Sequence, residues 1–78
     1  MIHRLFHATL DTRNFSFEAY GSTEAEAREA MRNGLAAHVR AYRLIQSDFD
    51  AEYADHITVR AVALGAAYRD GERIGGAK

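Results

Sequence analysis

The sequence predicts a small α+β domain of ββαβ(β) order, in which a three- to four-stranded, mostly antiparallel sheet carries one long helix on one face. Three observations carry this expectation. Residues 2–20, IHRLFHATLDTRNFSFEAY, are two alternating apolar–polar segments around a polar break. Thr23-Glu24-Ala25-Glu26 is a capping box that opens a long stretch of helical apolar spacing. A β-branched run, ITVRAVAL, follows at residues 57–64.

In the first strand, residues 2–10, Ile2, Phe6, Ala8 and Leu10 share one face. Asp11-Thr12-Arg13-Asn14 has the length of a hairpin loop, and alternation resumes in FSFEAY at 15–20. A four-residue loop sets Leu10 opposite Phe15, Ala8 opposite Phe17, His7 opposite Glu18 and Leu5 opposite Tyr20. That register gathers the phenylalanines on one side.

Gly21 ends the second strand, and the helix is expected from about residue 24 to about 46, with Glu26 reaching back to the Thr23 amide. Ala27, Met31, Leu35, His38, Val39, Tyr42 and Ile45 form its apolar stripe, and Gly34 at the margin would let it lie close to the sheet. The acidic connector SDFDAEYADH, 47–56, is a loop or a short helix capped by Ser47. In the third strand Ile57, Val59, Ala61 and Ala63 face the core, with Thr58, Arg60, Val62 and Leu64 opposite. Its partner, the first strand or the second, stays open. Asp70-Gly71 signals a tight hairpin that pairs Arg69 with Glu72 and Tyr68 with Arg73, ahead of a loose tail at 75–78.

Seventy-eight residues make one domain, 1–78. Apolar residues are 47% of the chain, but fifteen are alanine, so the core rests on Phe6, Leu10, Phe15, Phe17, Met31, Leu35, Val39, Tyr42, Ile45, Ile57 and Val59. At roughly 1.5–3 kcal/mol per large buried side chain, the gross gain is nearly cancelled by chain entropy, so a dimer interface would help. The formal charge of −1 argues against a dedicated nucleic-acid binder. With no cysteine there is neither a disulfide nor a thiolate metal site. No run approaches a membrane span and the N-terminus lacks a signal-peptide layout, so a cytoplasmic protein is expected.

One helix covers one sheet face. The other face offers His3, Leu5, His7, Glu18, Tyr20, Arg60, Val62 and Leu64: apolar anchors with a polar surround, the composition of a protein-binding surface. A protein partner is expected there, and a homodimer is one way to cover it. His3 and His7 stand about 13 Å apart along a strand, too far to share a metal. His38, on the apolar stripe, reads as a hydrogen-bonded core residue.

Two further clusters compete. Asp48, Asp50, Glu52 and Asp55 are a solvated acidic tract that could also face a basic partner, but they lack the spacing of a calcium loop. Arg28, Arg32, Arg40 and Arg43 share a wide sector of the helix, a phosphate-contacting ridge in the nucleic-acid alternative. The same charges suit the helix dipole, and Glu24 and Glu29 are placed to pair with Arg28 and Arg32. No nucleophile elbow, glycine-rich phosphate loop or helical histidine pair is present, so neither catalysis, metal nor cofactor is expected.

The stretch FHATLDTRNFSFEAYGSTEAEARE and the tail AAYRDGERI together resemble small uncharacterised proteins carried by plasmids and phages of high-GC bacteria. The resemblance covers most of the chain and implies a mobile-element setting. The functional expectation is therefore a non-enzymatic protein that binds another protein through a surface, such as a phage or plasmid inhibitor of a host defence complex (an anti-CRISPR-type role). The alternative is a nucleic-acid-binding or regulatory accessory protein that uses the helix arginines.

Overall fold

The computed structural model describes residues 4–70 and 72–76. Its elements are β1 (Arg4–Asp11), β2 (Ser16–Gly21), α1 (Glu24–Ala41), α2 (Gln46–Tyr53) with a 3₁₀ turn (Ala54–His56), β3 (Thr58–Ala63), β4 (Ala66–Arg69) and β5 (Glu72–Gly76). The main sheet has the order β2-β1-β3 and is antiparallel throughout, so the third strand pairs with the first. β4 and β5 form a separate two-stranded sheet rather than a fourth strand of the main one. The expected α+β fold with a long helix on one sheet face is present, but the end of the chain departs from the expectation. β5 runs to Gly76, so Gly75 and Gly76 are strand and not loose tail. Ile2 and His3, Gly71 of the expected hairpin, and Ala77 and Lys78 lie outside the described residues.

The β1–β2 register is displaced by two residues from the expected one: Leu10 faces Phe17, Ala8 faces Ala19 and His7 faces Tyr20. The cause is in the turn. Thr12 closes it with its own hydroxyl, which accepts from the Phe15 amide at 3.2 Å and donates to the Phe15 carbonyl at 3.1 Å. Ser16 then pairs with Asp11 and donates its hydroxyl to that carboxylate at 2.8 Å. The loop is thus Thr12–Phe15, and Phe15 leaves the strand. A shift of two keeps every other residue on its expected face.

α1 begins as expected. The Thr23 hydroxyl accepts from the Glu26 amide at 3.0 Å. Glu26 reaches back one residue further than expected, to the Ser22 amide at 2.7 Å. Gly21, not Gly34, supplies the close approach of helix and sheet. A Cβ on Gly21 would collide with the Ala27 amide nitrogen and sit 2.8 Å from the Glu26 carbonyl carbon, whereas nothing lies within 4 Å of one on Gly34. The N-terminus of α1 is therefore fastened directly onto the end of β2.

The helix stops early, at Ala41 instead of about 46. Arg43 adopts φ 55°, the Arg43 amide donates to Arg40 at 3.2 Å, and the Leu44 amide donates to Val39 at 2.9 Å. This is a Schellman ending with arginine where glycine is usual. Chain direction changes there, so Tyr42 and Ile45 miss the core and are 57% and 63% exposed. The connector becomes α2, with Ile45 rather than Ser47 at its N-cap.

The buried core is Ala8, Leu10, Ala19, Ala27, Met31, Leu35, Val39 and Phe49. Phe6, Phe17, Ile57 and Val59 pack against it but are only partly buried, and Phe15 is exposed. It is a thin core, in which three of the eight side chains are alanine. The hairpin β4–β5 has the expected pairs Arg69–Glu72 and Tyr68–Arg73, with Asp70 at φ 48° in its turn and a bulge one pair on.

Candidate functional site

The sheet face opposite α1 is built in cross-strand rows. In the central row β2 supplies Tyr20, β1 supplies His7 and β3 supplies Arg60. The His7 and Tyr20 rings stack, with centroids 4.6 Å apart and planes within 4°. In the next row Glu18, Thr9 and Thr58 follow, and the two threonine hydroxyls lie 2.8 Å apart. Glu18 leans diagonally so that its Oε1 comes 3.3 Å from His7 Nε2. That nitrogen is buried but lies outside hydrogen-bonding geometry to any partner among the described residues. The contact is therefore one of proximity, and the ring packs on Tyr20 through the stack.

The β4–β5 hairpin overhangs one side of this face. The Arg60 guanidinium lies 5.8 Å from the Tyr68 ring centroid, and the Tyr68 hydroxyl accepts from the Ala63 amide at 2.9 Å. Asp70, at the hairpin tip, helps line a hollow of about 470 Å³ with His7, Thr9, Glu18, Thr58 and Arg60. The hollow therefore joins carboxylates, hydroxyls and a guanidinium at the foot of an aromatic stack. It offers a partner hydrogen bonds of both senses and a flat ring to cover.

Of the expected open-face residues, His7, Glu18, Tyr20 and Arg60 come together here. Leu5 and Val62 pair with each other at the end of the sheet and are half-buried. Leu64 is 50% exposed but belongs to the turn after β3, off the sheet face. His3 lies outside the described residues. Leu5 and Val62 thus keep an apolar row on the same face, next to the polar hollow.

Neither competing cluster forms one surface. Helical geometry splits the acidic tract. Asp50 accepts from Gln46 Nε2 at 2.8 Å and faces a hollow shared with Arg28 and Arg32. Asp48 and Glu52 line a different hollow beside Arg43. Asp55 follows in the 3₁₀ turn. Along α1, Arg28 bonds Glu24 and Arg32 bonds Glu29, each at 3.1 Å. Arg43 is turned away by the helix ending, which leaves Arg40 as the ridge member in the last turn of α1. Among the described residues no three histidine, aspartate or glutamate side chains gather as a metal ion needs, and no helix is long and apolar enough to cross a membrane.

Comparison with protein-family models, curated proteins and solved structures finds no match.

One grouping escaped the sequence reading. Phe15, His38, Tyr42, Phe49 and Tyr53 form a continuous aromatic cluster where the β1–β2 turn meets the end of α1 and α2. His38 is 4.9 Å from Phe15, 4.7 Å from Tyr42 and 5.9 Å from Phe49 between ring centroids, and Phe49 is 4.9 Å from Tyr53. The i,i+4 pairs His38–Tyr42 and Phe49–Tyr53 were legible. Their union was not, because it depends on the helix stopping at Ala41.

Proposed function

We propose that the chain is a non-enzymatic binding protein that acts by covering a surface of another protein with its open sheet face. The observation that carries this is the Tyr20–His7–Arg60 row beside the hollow capped by Asp70. A stacked aromatic pair flanked by a guanidinium and carboxylates, on a rigid sheet, is the composition of a protein-recognition surface. The specific role proposed is that of a phage- or plasmid-borne inhibitor of a host defence complex in the cytoplasm, and the resemblance of the hairpin, cap and tail segments to mobile-element proteins supports it.

The test is transformation of a targeted plasmid into cells that carry one of a panel of defence complexes, with this chain co-expressed. Wild-type protein should restore transformation against at least one complex, and Arg60→Glu with Tyr20→Asp should abolish the rescue while the variant stays folded. Rescue by that double variant at wild-type level would refute the assignment of the face. Binding of nonspecific DNA that falls steeply with added salt would instead move the function to the arginines of α1.

A further inference from the structure

The chain is under-buried for its size, and its exposed large apolar side chains are unevenly spread. Its surface is 5868 Å², whereas a compact monomer of 8.7 kDa exposes roughly 4,700 Å². Its radius of gyration is 14.1 Å, against roughly 11.5 Å for a compact chain of this length. Of the seven large apolar side chains that are exposed among the described residues, Phe15, Tyr42, Leu44 and Ile45 cluster where α1 ends, with exposures of 40%, 57%, 45% and 63%. Two hollows of about 440 and 430 Å³ meet there and share Leu44, Phe49 and Tyr53 as a common wall.

We infer that this end of the molecule is the interface of a homodimer, occupied by a second copy of the same chain. Three features select a copy of itself over a foreign partner. The chain as a whole exposes roughly 1,100 Å² more than a compact monomer, part of it along the β4–β5 hairpin, and the ~800 Å² that each subunit gives to a standard interface lies within that surplus. The rim carries both signs, Arg13 on one hollow and Arg43 with Asp48 and Glu52 on the other. A two-fold interface is self-complementary, so a rim with balanced charge meets its own opposite across the axis, whereas a basic or acidic partner would be met by one sign. Third, a core with three alanines among eight buried residues is thin for an independent domain, and oligomerisation is a standard remedy. Ile45 and Tyr42, the most exposed members, are the knobs, and the hollows beside Leu44 receive them.

The interface lies at the helix layer, whereas Tyr20, His7 and Arg60 stand on the far side of the sheet. The dimer therefore leaves two copies of the proposed partner-binding face uncovered, and the assembly is bivalent. It also relocates self-association away from the open sheet face, where the sequence pattern had suggested it.

Sedimentation equilibrium from micromolar to millimolar protein tests this. Wild-type chain should approach twice 8.7 kDa. Ile45→Glu and, separately, Tyr42→Lys should each weaken the dimer at least about tenfold, because each places a charge at the centre of an apolar contact. Both sites are mostly solvent-facing, so far-UV circular dichroism should stay at the wild-type level. Leu5→Glu, at the open face, should leave the mass unchanged. A monomer throughout the range overturns the proposal, as does a dimer that Leu5→Glu dissociates and Ile45→Glu does not.

Discussion

The two ends of this molecule treat their aromatic residues in opposite ways. On the open sheet face, Tyr20 lies flat on His7, the threonines bond each other and Tyr68 holds its hydroxyl on the Ala63 amide. Side chains there are fixed by neighbours across strands. At the end of α1, Phe15, Tyr42, Leu44 and Ile45 are brought together but left facing solvent. The difference follows from what sets each position. Strand pairing fixes register residue by residue and so brings partners opposite one another. A helix ending rotates the following residues out of the stripe they would have joined, so that Tyr42 packs on His38 and Phe15 yet, like Leu44 and Ile45, stays largely exposed. One surface is fixed by its own neighbours. The other is an exposed apolar cluster, the one proposed to take a second copy.

The link between them is Gly21, where the start of α1 rests on the end of β2. Gly21→Ala should be the most damaging small change, with a loss of about 3 kcal/mol in chemical denaturation, because an added methyl meets helix backbone and not a movable side chain. A loss below 1 kcal/mol would mean that the helix can lift off the sheet without consequence, and the contrast between an anchored and an open end would fail.

Tyr20→Ala sharpens the comparison on the sheet side. It removes the stack on His7 and should cost about 1 kcal/mol. Ile45→Ser at the other end should cost the monomer little, since the side chain is mostly in solvent. Equal losses at low protein concentration would erase the distinction between a satisfied face and an uncovered one.

Arg43→Gly has the smallest expected effect and the opposite sign. Arginine at φ 55° carries the left-handed strain that glycine avoids, so the variant should gain about 0.5–1 kcal/mol. A loss would show that the Arg43 side chain contributes more beside Asp48 and Glu52 than its backbone costs.

Much of this was legible in the sequence because it rests on local chemistry. The capping box, the three strands of the main sheet, the Asp70 turn with its two flanking pairs, and the face assignment of Arg60 and His7 all follow from period and turn residues. What escaped depends on distant or non-standard choices. The two-residue register shift comes from a threonine hydroxyl closing the turn, a device that competes evenly with the four-residue loop beginning at Asp11. The early helix stop is hidden because arginine occupies the position where glycine would have signalled it. From that one hidden stop follow the exposure of Tyr42 and Ile45, the formation of α2, the splitting of the acidic tract and the aromatic cluster around His38. Gly34 looked like the point of close approach because it lies in a helix, while Gly21, at a strand end, looked like simple punctuation.

The most direct test of the account is a concentration series of backbone amide NMR spectra. Resonances of Phe15, Tyr42, Leu44, Ile45 and the exposed side of α2 should move as the protein is concentrated, while those of His7, Glu18, Tyr20 and Arg60 stay fixed. Movement confined to the open sheet face, or none over the whole series, would contradict it.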